Sequence, residues 1–190
     1  MDNNLREIPS VFYSSETGAP LEHCLVCEKY LLDETNYVIE KSITSYPGLD
    51  TKDTIYEIAV CSECLESLMK EYSEESERKL NEYFMENMDF SHQMKLLEHQ
   101  MFDAEDWISK CIIKKTSVSE STHYQICAHC VGDQMIFGCS PFMISGPAID
   151  EMTDLLSNET IDFFNDFRGR YLPPPEDLSP LFKDKDFVLI

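Results

Sequence analysis

The chain is poor in basic residues. Fifteen Lys and Arg stand against 36 Asp and Glu over 190 residues, a formal net charge of −21. Binding to a phosphate backbone draws on clusters of Lys and Arg. The densest here are Lys114-Lys115 and the pair Arg168 and Arg170, so no nucleic-acid partner is expected. No run approaches the roughly 20 apolar residues of a membrane helix, and no membrane partner is expected. The opening residues, Met1-Asp2-Asn3-Asn4-Leu5-Arg6, have no apolar core region behind them, so a secretory signal is not expected. H-E-x-x-H, H-x-E paired with P-C-x-x-C, a Walker phosphate loop, G-x-G-x-x-G and G-x-S-x-G are all missing. The chain therefore carries none of these common catalytic or nucleotide-binding signatures.

What it does contain is a globular composition, 43% hydrophobic and 11% aromatic, and eight cysteines. Cysteines without a secretory signal point to a reducing, cytoplasmic setting and to metal rather than disulfides. The acidity is uneven. Residues 111–146 hold only Lys114, Lys115, Glu120 and Asp133, whereas residues 65–110 carry twelve acids against five bases. The neutral stretch reads as interior or interface, and the acidic helices as solvated.

Two C-x-x-C pairs lie early in the chain: C-L-V-C at Cys24 and Cys27, and C-S-E-C at Cys61 and Cys64. Each spacing lets two thiolates reach one ion, and two pairs make a tetrahedral set. Between them, Tyr37-Val38-Ile39 and Ile55-Tyr56-Glu57-Ile58-Ala59-Val60 read as the strands of a hairpin joined through Pro47-Gly48. Ser62 stands where a helix cap would, ahead of Leu65. Knuckle, hairpin, then knuckle opening a helix resembles a treble-clef or zinc-ribbon zinc module over residues 21–87. Iron–sulfur ligation also takes four thiolates, but in more compact runs.

Apolar positions Leu65, Leu68, Met69, Tyr72, Leu80, Tyr83, Phe84 and Met88 predict a helical face. Opposite it, Glu66 with Lys70, Glu74 with Arg78 and Glu75 with Lys79 stand in the favourable acid-before-base order. Ser91 starts a second helix with Met94, Leu97, Met101 and Ala104 inward. Val11-Phe12-Tyr13 suggests an edge strand. Residues 107–118 and 123–126 read as strands; residues 134–137 and 141–144 fit strand or helix. Ser145-Gly146-Pro147 opens a helix, and Ser157 or Asn158 caps another unless the two are one. Pro173-Pro174-Pro175 ends it, and the apolar tail, residues 178–190, is expected to pack on the body.

A shift of 70 residues lays residues 32–38 over 102–108 and, after a four-residue shortening of the hairpin loop, Cys61 and Cys64 over Cys127 and Cys130, suggesting a second hairpin unit. The places of Cys24 and Cys27 become Met94 and Leu97, so a second ion would need other donors. Cys111 and Cys139 would complete four thiolates, with His92, His99, His123 and His129 as further candidates; His23 and His129 also suit supporting roles.

The fold expected is α+β: two related β-hairpin-plus-helix modules, helices packed around short antiparallel sheets, and a structural four-cysteine zinc site in the first. The expected division is residues 1–88 and 89–190. The metal ligands expected are Cys24, Cys27, Cys61 and Cys64, then Cys127, Cys130, Cys111 and Cys139 for a second zinc; no catalytic residue is assigned. The function expected is non-catalytic zinc binding with a protein partner, met by an apolar patch at residues 135–143 or the tail. The alternatives are an acidic antagonist of a basic partner, drawn from the charge of −21, or a zinc enzyme at Cys127, Cys130 and His129.

Overall fold

In the computed structural model, residues 4–46, 48–49 and 51–173 are described. Pro47 in the hairpin connection, Pro174-Pro175 and the tail expected to pack lie outside them. The described chain is mixed α/β, built on one antiparallel sheet. Its strands are β1 (Leu5–Glu7), β2 (Asn36–Tyr46), β3 (Thr51–Cys61), β4 (His123–Val131), β5 (Gln134–Ile136) and β6 (Phe142–Ser145). The order is β1-β5-β4-β2-β3, with β6 also on β4. The sheet therefore runs across the division expected between residues 88 and 89.

β2 and β4 form the centre. They pair antiparallel from Asn36–Val131 to Thr44–His123, with Glu40 opposite Cys127. The far side of β4 is shared, Tyr124 to Cys127 pairing with β6 and Cys130 and Val131 with β5. A strand covered on both faces is buried without alternation, and β2 is buried from Tyr37 to Ile43. That run includes three polar residues. Tyr56 Oη donates to Glu40 Oε1 at 2.5 Å, and Lys41 Nζ pairs with Glu57 at 3.1 Å. Ser42 Oγ is buried with no hydrogen-bond partner among the described residues.

The helices are α1 (Ser62–Met69), α2 (Glu74–Asn87), α3 (Ser91–Glu98), α4 (Ala104–Trp107), α5 (Gly146–Asp154) and α6 (Asn158–Tyr171). The helical face expected from Leu65 to Met88 divides in two because Ser73 caps a new helix. Its side chain accepts from Ser76 N–H, and Glu74, Glu75 and Glu77 fill the first turn, where acids suit the helix dipole. Arg78 pairs forward with Glu82 rather than back to Glu74, while Lys79 does pair with Glu75. Ser157 caps α6 in the same way, separating it from α5.

Several expectations need correction. Val11-Phe12-Tyr13 is not a strand; Ser10–Phe12 is a short 3-10 turn, and β1 is the edge. Residues 107–118 are not a strand either. Asp103 caps α4, Trp107 ends it, and a tight loop follows in which Cys111 N–H donates to Thr116 O at 2.8 Å. Trp107 turns into the core against Phe137 and donates Nε1–H to Met101 O at 2.7 Å. Met94 and Met101 are 59% and 46% exposed, because α3 ends at Glu98 and Gln100 breaks the helical phase with φ 55°. Met135, Phe137 and Met143 are fully buried beside β4, so residues 135–143 supply core rather than a contact patch. Cys61 caps α1, whereas Cys127 and Cys130 lie inside β4. The expected overlay of Cys61 and Cys64 on Cys127 and Cys130 therefore does not hold.

Candidate metal centre

The loop that carries Cys24 and Cys27 is closed by its own backbone. Cys24 N–H donates to Lys29 O at 2.9 Å, Glu28 N–H to Cys24 O at 2.9 Å, and Leu31 N–H to Glu22 O at 2.8 Å. Glu28 takes a left-handed φ of 60° to make the reversal, a position that costs a side-chain-bearing residue energy. Leu25 N–H then donates to Ala59 O at 2.8 Å, fixing the loop to β3. The same strand ends at Cys61, opposite Tyr37. Cys61 caps α1, and Cys64 follows in its first turn. Two residues of separation around a helix start return the second thiol to the side of the first.

These elements bring four sulfurs together. Ligand atoms of Cys24, Cys27, Cys61 and Cys64 all lie within 4.8 Å of one another. Cys27 and Cys61 are 3.8 Å apart, Sγ to Sγ, and Cys61 N–H points at Cys24 Sγ at 3.4 Å. Cys24 and Cys61 are buried, Cys64 half-buried and Cys27 exposed, so the cluster sits at the surface with one edge open. A zinc–sulfur bond of about 2.3 Å gives tetrahedral sulfur–sulfur edges of about 3.8 Å. The donor set therefore fits one tetrahedral ion.

The electrostatics favour a thiolate at Cys24. Burial raises that thiol, but backbone N–H groups of Cys61, Cys27 and Val26 outweigh it and bring it down to about 7. Burial raises Cys61 and Cys64; Cys24 adds to the rise at Cys61, where hydrogen bonds from Cys64 oppose it, and Cys27, Cys61 and Cys24 all add to it at Cys64, because several thiolates cannot share so small a space without a cation. At the rim, Lys29 pairs with Glu63 at 3.1 Å.

The other expected ligands are not gathered. Among the described residues the four-cysteine cluster is the one such group. Cys127 and Cys130 lie three residues apart on β4, and an odd separation on a strand sends side chains to opposite faces. Cys139 is exposed between β5 and β6, and Cys111 is buried in its own loop. His129 is exposed on β4, its backbone N–H donating to Ser140 Oγ at 3.1 Å. His23 packs edge-on against Tyr30. His92 reaches Asp106 O at 2.9 Å, His99 reaches Lys95 O at 2.7 Å, and His123 faces Thr44 at 3.5 Å. None of these histidines lies in a group of metal-ligating side chains among the described residues. What sequence reasoning missed is the buried row Glu40, Tyr56 and Gln125, in which Gln125 Nε2 donates to Tyr56 Oη at 2.5 Å. Only the polar letters inside an apolar strand hinted at it.

No described helix is long and apolar enough to cross a membrane. No protein-family model, curated protein or solved structure matches this chain.

Proposed function

We propose that this is a non-catalytic zinc-binding protein of treble-clef type, in which Cys24, Cys27, Cys61 and Cys64 hold one structural Zn²⁺. The observation that carries the reading is the sulfur cluster, with its 3.8 Å Cys27–Cys61 edge. Four thiolates close the coordination shell, leaving no place for a substrate or an activated water. The ion would tie the Cys24 loop to the β3–α1 junction, and its binding energy would become folding energy. Zinc is favoured over iron–sulfur because one tetrahedral ion accounts for the 3.8 Å edge, and the four donors come from two segments far apart in the sequence.

In this reading the chain acts by contact with a protein partner. Met69, Met85, Met94 and Met101 are all exposed, and thioether side chains adapt to varied surfaces. Cobalt substitution tests the metal assignment. One Co²⁺ per chain with the absorption of a four-thiolate site supports it; a spectrum showing oxygen or nitrogen ligands, or no uptake, refutes it.

A further inference from the structure

The hydrogen bonds around Cys24 recur around Cys111, 87 residues later. Lys115 N–H donates to Cys111 O at 2.9 Å, as Glu28 does to Cys24. Cys111 N–H donates to Thr116 O at 2.8 Å, as Cys24 does to Lys29; Val118 N–H donates to Ser109 O at 2.8 Å, as Leu31 does to Glu22. Lys115 has φ 59° where Glu28 has 60°. Lys110 and Ser117 form an antiparallel bridge, as His23 and Tyr30 do. Ile112 N–H donates to Met143 O at 2.9 Å, matching Leu25 to Ala59.

The strand and helices that follow agree at an offset of 84. Ser145 N–H points at Cys111 Sγ at 3.3 Å, where Cys61 N–H points at Cys24 Sγ at 3.4 Å. Ser145 lies opposite Tyr124 as Cys61 lies opposite Tyr37. Ser145 caps α5 as Cys61 caps α1, and α2 and α6 are each 14 residues long, starting 84 residues apart at Glu74 and Asn158. The matched elements also meet each other. β2 pairs with β4 so that Glu40 faces its own counterpart, Cys127. Ser73 N–H donates to Thr160 Oγ1 at 3.0 Å while Ser157 N–H donates to Ser76 Oγ at 2.8 Å. These reciprocal contacts describe an approximate two-fold axis through the sheet and the helix starts.

We propose that residues 109–172 repeat the plan of residues 22–88, and that Cys111, Lys114, Ser145 and Ala148 occupy the four donor positions of a second metal centre now held together without an ion. Direct bonds stand where the cation would. Ser145 Oγ donates to Cys111 Sγ at 3.2 Å, and Lys114 N–H donates to the same sulfur at 3.2 Å. Lys114 Nζ pairs with Glu151, which also accepts from Tyr83 Oη at 2.7 Å. Ala148 is fully buried. One sulfur is too few for a structural ion, but the backbone that would present four is intact. The geometry would accept a thiophilic, tetrahedral divalent cation once thiols are restored.

The inference rests on the metal reading of the first centre, and one experiment separates the two. The triple variant K114C, S145C and A148C is loaded with Co²⁺ beside the unaltered chain. Two ions per chain and a doubled thiolate-to-cobalt absorption, against one ion in the unaltered chain, support the repeat. One ion in both chains overturns it. No ion in the unaltered chain sinks the first centre, and the variant then supports the repeat by taking up one ion and overturns it by taking up none. If the triple variant does not fold, amide exchange on the unaltered chain after chelation decides. The amides of Leu25, Glu28 and Leu31 should exchange at least tenfold faster, while those of Ile112, Lys115 and Val118 keep their protection. Equal change, or equal protection, in the two loops overturns the proposal.

Discussion

Ser73 and Ser157 each cap their own helix and also hydrogen-bond to each other, Oγ to Oγ at 2.8 Å. Ser76 and Thr160, both fully buried, complete the cluster. Removing a capping hydroxyl costs about 1 kcal/mol, and groups in one network couple by about 0.5–3 kcal/mol. S73A and S157A should each lower stability by about that capping increment. The double variant should lose less than the sum, because the first change already breaks the shared bond. Urea unfolding of the four proteins measures it; strict additivity would show that the two caps act independently.

Glu57, its side chain 15% exposed, accepts from Ser15 N–H at 2.9 Å and from Lys41 Nζ, 6% exposed, at 3.1 Å. Burial raises the Glu57 carboxyl, but Ser15, Ser14 and Lys41 outweigh it and hold it below its ordinary value. A carboxyl lowered in the folded state adds stability that is complete above its unfolded value, about 4.3. That stability disappears as pH falls through the lowered folded value. E57Q should cost about 3 kcal/mol at neutral pH by leaving the buried Lys41 charge without its ion-pair partner, with Tyr13 O still accepting from it. The gap to the unaltered protein should narrow as the solution becomes acidic. Thermal melts from neutral pH down into the acid range below the ordinary carboxyl value test this; a pH-independent gap would contradict it.

The eight thiols are all free of disulfides and differ in reach. Burial, then the charge of Glu40, pushes Cys127 well above the ordinary thiol value, and burial pushes Cys130 up to about 12. Thiolates are the reactive form. With metal bound, brief alkylation should label Cys139 alone. After chelation Cys27 and Cys64 should join it, while Cys111, Cys127 and Cys130 wait for unfolding. Peptide mass spectrometry reads the order. Labelling of Cys127 as fast as Cys139 would contradict the buried placement of β4.

Gly132 turns the chain between β4 and β5 with φ 56°, and a Cβ there would meet Glu34 N and Leu32 O at 3.2 Å. Its carbonyl also accepts from buried Tyr37 Oη at 2.9 Å. Both neighbours are backbone and cannot swing aside. G132A should therefore destabilise by more than the roughly 1–2 kcal/mol of a left-handed alanine. Chemical denaturation checks it, and a neutral outcome would mean the turn is free to relax.

The four-cysteine cluster was legible because its information is local. Two C-x-x-C pairs and a β-branched hairpin announce themselves in short windows. The break before α2 was equally local, in Ser73-Glu74-Glu75-Ser76-Glu77, but the apolar period from Leu65 to Met88 hid it. Residues 107–118 looked like a strand because Ile108, Ile112, Ile113 and Val118 favour sheets, yet Lys115 in a left-handed turn folds them into a loop. Cys127 and Cys130 imitate a knuckle in spacing only, since pairing with β2 holds them extended. The match between the Cys24 and Cys111 loops resides in backbone hydrogen bonds. With three of four donor positions filled by Lys114, Ser145 and Ala148, no residue pattern was left to reveal it.

X-ray absorption at the zinc edge, on protein purified without chelator, bears most directly on the central claim. One zinc per chain with four sulfur neighbours at about 2.3 Å, lost in C24S and in C61S, is the expected result. A metal-free chain that is fully folded, and whose unfolding midpoint moves with neither zinc nor chelator, would contradict it.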